Sequence, residues 1–178
     1  MKALLVGLLA IVAACGEGRA IFNIDAQSFM QGTGKDTIPY VIPPASSGTA
    51  STTQEITLPP GFGSSNVDSV RITSGGITLM NTGGTGTIGF SVFFAADEAG
   101  TFTAPAALNI PATSVTGTQN VPVVITGDLS SSVNTLFTND VIWMRIAATG
   151  TNGGATPVTG KGLITALQIR VVLQDKIF

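Results

Sequence analysis

Few side chains in this sequence of 178 residues can do chemistry, and their types narrow what that chemistry is. The chain holds no histidine, so it cannot assemble a Ser-His-Asp triad or use an imidazole as acid, base or metal ligand. Its one adjacent pair of carboxylates is Asp97-Glu98. Two carboxylates flanking a substrate can hydrolyse a glycosidic bond, and oxygen ligands of this kind can hold Ca²⁺. Neighbouring residues of an extended strand point to opposite faces, however, and no second acidic cluster supplies a partner. A solvated loop tip is the expectation for this pair, and a carboxylate-dependent hydrolase is the least favoured of the functional readings. Asp128, Asn139 and Asp140 flank a helical pattern and are expected to cap it or turn the chain. No P-loop, dinucleotide fingerprint or EF-hand loop occurs. Gly83–Gly89 is glycine-rich, but it lies between strand-like runs rather than opening a helix. No cofactor and no metal are implied, and the chain is expected not to be an enzyme.

One constellation points to recognition instead. Val141, Trp143 and Arg145 share the strand face opposite Ile142, Met144 and Ile146, and Phe93 stands opposite Ile88–Phe94 in the same way. If the aliphatic rows are core, Trp143, Arg145 and Phe93 face outward as a possible binding patch. Trp and Arg are enriched at binding hot spots, and an aromatic ring beside a guanidinium can stack on a sugar or anchor a protein. The plainer alternative is that the helical segment or residues 31–53 cover this face, making both sides core.

The elements that must position these residues are almost all strands. Ile21–Met30, Gln54–Leu58, Val67–Ser74, Ile77–Asn81, Thr87–Ala96, Val121–Thr126, Val141–Ala148 and Leu163–Phe178 alternate apolar and polar residues, or read as short β-branched runs. Residues 31–53 are expected to be loop, pinned at Tyr40–Ile42. Residues 97–120 are expected to be irregular, with a short edge strand near Leu108. Gly75-Gly76 reads either as a hairpin turn or as a bulge in one long strand. Asp128–Thr138 is the one helix candidate, capped by Asp128 and apolar along Leu129, Val133, Leu136 and Phe137. Leu163, Leu167, Ile169, Val171 and Leu173 are expected on one face of the last strand. The fold class is therefore all-β: one antiparallel β-sandwich, jelly-roll-like or immunoglobulin-like, with one short helix. The Cys–Trp–Cys hallmark of immunoglobulin domains is absent.

The amino terminus carries the most specific pattern. Lys2 precedes an uncharged apolar run from Ala3 to Ala14, which ends at Cys15, the only cysteine. A membrane span needs about 20 apolar residues, so this run has the length of a cleaved leader rather than of a permanent helix. Val12-Ala13-Ala14-Cys15 resembles the lipobox of bacterial lipoproteins, a resemblance confined to the leader and its junction. It implies cleavage before Cys15 and acylation of its thiol, with several acyl chains holding the protein to a membrane. Gly16 after the cysteine, rather than aspartate, implies outer-membrane or cell-surface delivery. An ordinary secretory leader or a free thiol are the alternatives. The implied organisation is a cleaved signal peptide over 1–14, a lipidated tether over 15–20 and a β-sandwich domain over 21–178.

Charge narrows the partners further. Only 10% of the residues are charged. Without residues 1–14 the chain has seven basic and ten acidic residues, and Arg19, Arg71, Arg145 and Arg170 are scattered rather than clustered. Neither a nucleic-acid-binding stripe nor a polybasic membrane patch is present. The expected function is a lipid-anchored, non-enzymatic envelope protein, a structural or protein-interaction module. A glycan-binding β-sandwich using Trp143 as its platform is the alternative.

Overall fold

A computed structural model describes residues 18–58, 66–129 and 131–175. The expected leader over 1–14, Cys15 and the end of the chain from residue 176 lie outside the described residues. Ten strands are described: β1 (Gly18–Asp25), β2 (Thr37–Ile42), β3 (Ser46–Thr57), β4 (Asn66–Gly83), β5 (Thr85–Ala95), β6 (Leu108–Thr116), β7 (Gln119–Val124), β8 (Gly127–Asp128), β9 (Val141–Asn152) and β10 (Val158–Asp175). One α-helix, α1 (Ala26–Met30), and two 3₁₀ helices, Ala99–Phe102 and Ser131–Thr138, join them.

The strands form two antiparallel sheets. The first runs β1-β10-β4-β7, with β2 continuing the β1 row along β10 and β8 continuing the β7 row along β4. The second runs β3-β9-β5-β6. The chain pairs from the outside in: β1 and β2 with β10, β3 with β9, β4 with β7, and β5 with β6. This is a long hairpin ribbon with β5–β6 at its tip, rolled so that alternate pairs fall in opposite sheets. Of the two sandwich expectations, that strand order is the jelly roll and not the immunoglobulin arrangement.

Alternation builds the core. Ile88, Phe90, Val92 and Phe94 of β5 and Ile142, Met144, Ile146 and Ala148 of β9 are buried between the sheets. They meet Ile72, Ile77 and Leu79 of β4 and Leu167, Ile169 and Val171 of β10 in one cluster. Phe137, from the second 3₁₀ helix, closes one end with its ring 5.5 Å from that of Phe94.

Several expectations are corrected. Residues 18–20, expected in a tether, belong to the fold: Gly18, Arg19 and Ala20 pair with Asp175, Gln174 and Leu173 inside β1. The strand expected over Ile21–Met30 stops at Asp25, whose carboxylate accepts from the Ser28 amide at 3.4 Å and starts α1. Residues 31–53 are not loop, since β2 and most of β3 lie there. Up to Gln54 the inner-facing positions of β3 are Gly48, Ala50, Thr52 and Gln54, too small or polar to show an apolar period; the next, Ile56, is fully buried and lies in the part expected as a strand. The helix over 128–138 is a 3₁₀ helix from Ser131, and Asp128 instead pairs with Arg71 at 3.4 Å. Both groups of that pair are exposed, so it contributes little.

Gly75-Gly76 lies within one continuous strand, β4. The bulge is on its partner: Ile164 pairs with Ile77 and Ala166 with Gly76, leaving Thr165 extra. That extra residue switches the face of β10. Ile164 is buried before it and Leu167 after it, while Leu163 is only half-buried, contrary to the single row expected.

Candidate functional site

The outward face of the β3-β9-β5-β6 sheet holds the predicted patch. Register places Phe93 of β5 opposite Arg145 of β9, and Trp143 between Ala95 and Glu55. All three patch residues thus share one end of one face, as their parity implied. Their exposure differs from the expectation. Arg145 is buried, at 8% exposure, and Phe93 and Trp143 are half-buried.

The cover is neither the helical segment nor residues 31–53. It is the β5–β6 connection. Its 3₁₀ helix lays Phe102 over the sheet so that the Arg145 guanidinium lies 3.9 Å from the Phe93 ring centroid and 4.8 Å from that of Phe102. Arg145 Nε donates to the Thr101 carbonyl at 3.0 Å. A planar, weakly hydrated cation tolerates this position because two aromatic faces replace part of its hydration. Burial pushes the guanidinium's pKa below its usual value. Among the described residues no carboxylate forms an ion pair with it; the one ion pair there is Arg71–Asp128.

The Asp97-Glu98 pair belongs to the same cover. Asp97 Oδ1 accepts from the Gly100 amide at 2.7 Å, bracing the first turn of the 3₁₀ helix. Glu98 Oε1 accepts from the Thr53 hydroxyl at 2.5 Å, tying the loop to β3. Thr101, fully buried, donates its hydroxyl to the Glu98 carbonyl at 2.6 Å. The connection is therefore fastened at β3 through Glu98 and at β9 through Arg145. The two carboxylates serve different hydrogen bonds and are not presented together to a cleft. Among the described residues no three carboxylate or thiol groups converge on a point that could hold a metal ion.

Phe102 is the residue that sequence reasoning missed. It is 59% exposed, so the outer side of its ring faces solvent while its inner side covers Arg145. Nothing in the irregular stretch around it has a period that would single it out. Beneath the same connection lies an apolar cleft of about 320 Å³, lined by Phe94, Ala96, Thr103, Pro105, Val133 and Leu136. A second hollow of about 230 Å³, lined by Tyr40, Ile42, Gly48, Ile88 and Gly150, opens between β2 and β3. Its one titratable group is Tyr40, whose hydroxyl donates to Asn81 Oδ1 at 3.2 Å and whose pKa is raised by burial.

No protein-family model matches this chain, and no curated protein matches it. Solved structures with a partial likeness come from infectious bursal disease virus. The Gx strain structure has a TM-score of 0.44 at 9% identity, over 90% of this chain and 33% of that one. The Gt strain structure has a TM-score of 0.44 at 9% identity, over 100% and 39%. The T13 particle has a TM-score of 0.35 at 12% identity, over 98% and 44%. The chain thus spans between 33% and 44% of the length of these three.

Proposed function

We propose that this protein is an exported, lipid-anchored, non-enzymatic interaction module built on a jelly roll. The observation that carries the reading is the engagement of Asp97 and Glu98. The one adjacent carboxylate pair in the sequence fastens a loop over Arg145, and so is committed to holding a surface in shape. The anchor half rests on the lipobox-like Val12–Cys15. Gly18, where β1 begins, is three residues beyond Cys15, a reach of about 10 Å for extended chain. Acylation there would hold the paired ends of β1 and β10 close to the bilayer, with the rest of the sandwich projecting away.

The test is the mass of the N-terminal peptide from membranes of expressing cells. The expected peptide starts at Cys15 and carries acyl chains, and Cys15→Ala moves the protein out of the membrane fraction or leaves its leader uncut. An unmodified Cys15 behind an intact leader would overturn the anchor. Hydrolase activity lost in Asp97→Asn or Glu98→Gln, with the fold intact, would overturn the non-enzymatic reading.

Glycan binding is the second reading, favoured by the exposed Phe102 ring. Stacking would then use Phe102, with Arg145 behind it, rather than the half-buried Trp143. Glycan-array binding abolished by Phe102→Ala but not by Trp143→Phe is the pattern this reading expects.

A further inference from the structure

We infer that β3 is a self-pairing edge, and that two copies of this chain join through antiparallel β3 strands about a two-fold axis near Ser51. β3 is twelve residues long and matches β9 residue for residue, from Ser46 opposite Asn152 to Thr57 opposite Val141, with no register shift. The Leu58 amide donates to the Asp140 carbonyl at 2.8 Å, one step beyond that ladder. Antiparallel pairs alternate between bonded and non-bonded. The even-numbered residues of β3 therefore bond to β9, and the backbone groups of Ser47, Thr49, Ser51, Thr53, Glu55 and Thr57 point away from the sheet. The Gln54 side chain agrees: its Nε2 donates to the Glu55 carbonyl at 2.7 Å, an oxygen the ladder leaves free.

Unpaired strand edges recruit other strands unless they are short, charged, bulged or interrupted by proline. Among the described residues, each other edge of the two sheets has such a device. β6 contains Pro111 and a register shift between Ile88 and Phe90 of its partner β5. β7 has six residues and contains Pro122. β2 has six residues and contains Pro39, and β1 carries Arg19 and Asp25. β3 has neither proline nor bulge, and its one charge, Glu55, sits near its end.

A second copy fits this edge by its own sequence. With Ser51 on the axis, Thr49 of each copy faces Thr53 of the other, and Ser47 faces Glu55. No like charges meet, and Thr–Thr pairs are favourable neighbours across antiparallel strands. Pairing would run from Ser47 to Glu55, ending where Gln54 occupies the Glu55 carbonyl. The two four-stranded sheets would become one of eight strands. Pairing at this edge does not depend on acylation of Cys15.

The test uses the full chain. In an antiparallel bonded pair the facing Cα atoms are about 5.5 Å apart, within disulfide range. Ser51→Cys is expected to give a reducible dimer in intact cells under mild oxidation, whereas wild type, with Cys15 alone, and Thr57→Cys do not. Sedimentation of the protein purified in mild detergent is expected to show a concentration-dependent dimer. Ser51→Lys, which sets lysine against lysine, should weaken that dimer at least tenfold with no change in melting temperature. No Ser51→Cys dimer, equal cross-linking of Thr57→Cys, a dimer indifferent to Ser51→Lys, or a different protein cross-linked at Ser51→Cys would each overturn the proposal.

Discussion

Arg145 and Thr101 are 44 residues apart in sequence, and the Nε–H of one meets the carbonyl of the other at 3.0 Å. That bond converts a long irregular connection into a fixed part of the outer sheet face. Phe93 below and Phe102 above enclose the guanidinium, and the Thr53–Glu98 bond fastens the other side of the loop. The surface the protein presents at this end is therefore set by one arginine.

Removing that arginine should loosen the loop and destabilise the domain together. Arg145→Ala is expected to lower unfolding stability by about 2–3 kcal/mol, from one charged hydrogen bond and two cation–π contacts. Arg145→Lys keeps the charge but not the planar stack, so it should recover only part of the loss. Urea melts at constant slope read the stability, and limited proteolysis within 96–107 reads the loop.

Tyr40 gives the fold an alkaline limit. It is the only tyrosine, buried at 5% exposure, and burial raises its pKa above the ordinary tyrosine value. The unfolded chain then loses its phenolic proton first. The contribution is full below pH 10 and falls away as pH rises through the folded-state pKa. Wild type should lose stability above about pH 10 as this group titrates. Tyr40→Phe should lack that part of the loss while being about 1 kcal/mol less stable at neutral pH, from the missing bond to Asn81. Absorbance at the tyrosinate band during alkaline unfolding follows the same single group, and equal alkaline slopes for the two proteins would contradict the account.

Asn81 should matter more than its place in a strand suggests. At 2% exposure, its amide nitrogen lies 3.0 Å from the Gly83 carbonyl, 3.4 Å from that of Gly84 and 2.5 Å from that of Gly117. It joins the β4–β5 turn to the β6–β7 turn. Asn81→Ala takes the side-chain donor from the Gly83 and Gly117 carbonyls and the acceptor from the Tyr40 hydroxyl, while the Gly84 carbonyl keeps the Gly117 amide at 2.8 Å, at an expected cost of about 2–3 kcal/mol. Thermal unfolding measures it. A change below about 0.5 kcal/mol, the size of an ordinary surface substitution, would show that the turns hold without it.

What was legible in the sequence follows from which strands bury large side chains. β5 and β9 cross the middle of their sheet, and Ile88–Phe94 and Ile142–Ile146 announce both strands and their inner faces. From that parity, the grouping of Phe93, Trp143 and Arg145 on one outer face could be read directly. Only the end of β3, read as a strand from Gln54, could be seen; its first eight residues could not, because an edge strand facing the core through Gly48, Ala50 and Thr52 has no apolar period. Nor could the cover on Arg145, because Thr101 and Phe102 reach it through a 3₁₀ turn whose hydrogen bonds to Thr53 and Arg145 exist only after the sheet has formed. The face switch in β10 depends on a single extra residue, Thr165, which looks like any other threonine until its neighbours are paired.

Gly75 gives a sharp test of the β4 geometry. A Cβ there would lie 2.6 Å from the Ile125 carbonyl oxygen and 2.9 Å from the Ile125 Cβ. Ile125 cannot retreat easily: it is fully buried, and its amide donates to the Gly75 carbonyl at 2.9 Å. Gly75→Ala should therefore cost about 1–3 kcal/mol, the range for forcing extra volume into a packed site. Gly48→Ala, in β3, is the control. Its nearest neighbour would be Ile42 Cγ1 at an ordinary 3.6 Å. There the gain from restricting the unfolded chain should dominate, leaving stability unchanged or raised by up to about 1 kcal/mol. Paired denaturant melts of the two variants separate the outcomes. Equal effects at both sites would mean that β4 does not approach Ile125 as closely as the β7–β8 connection places it.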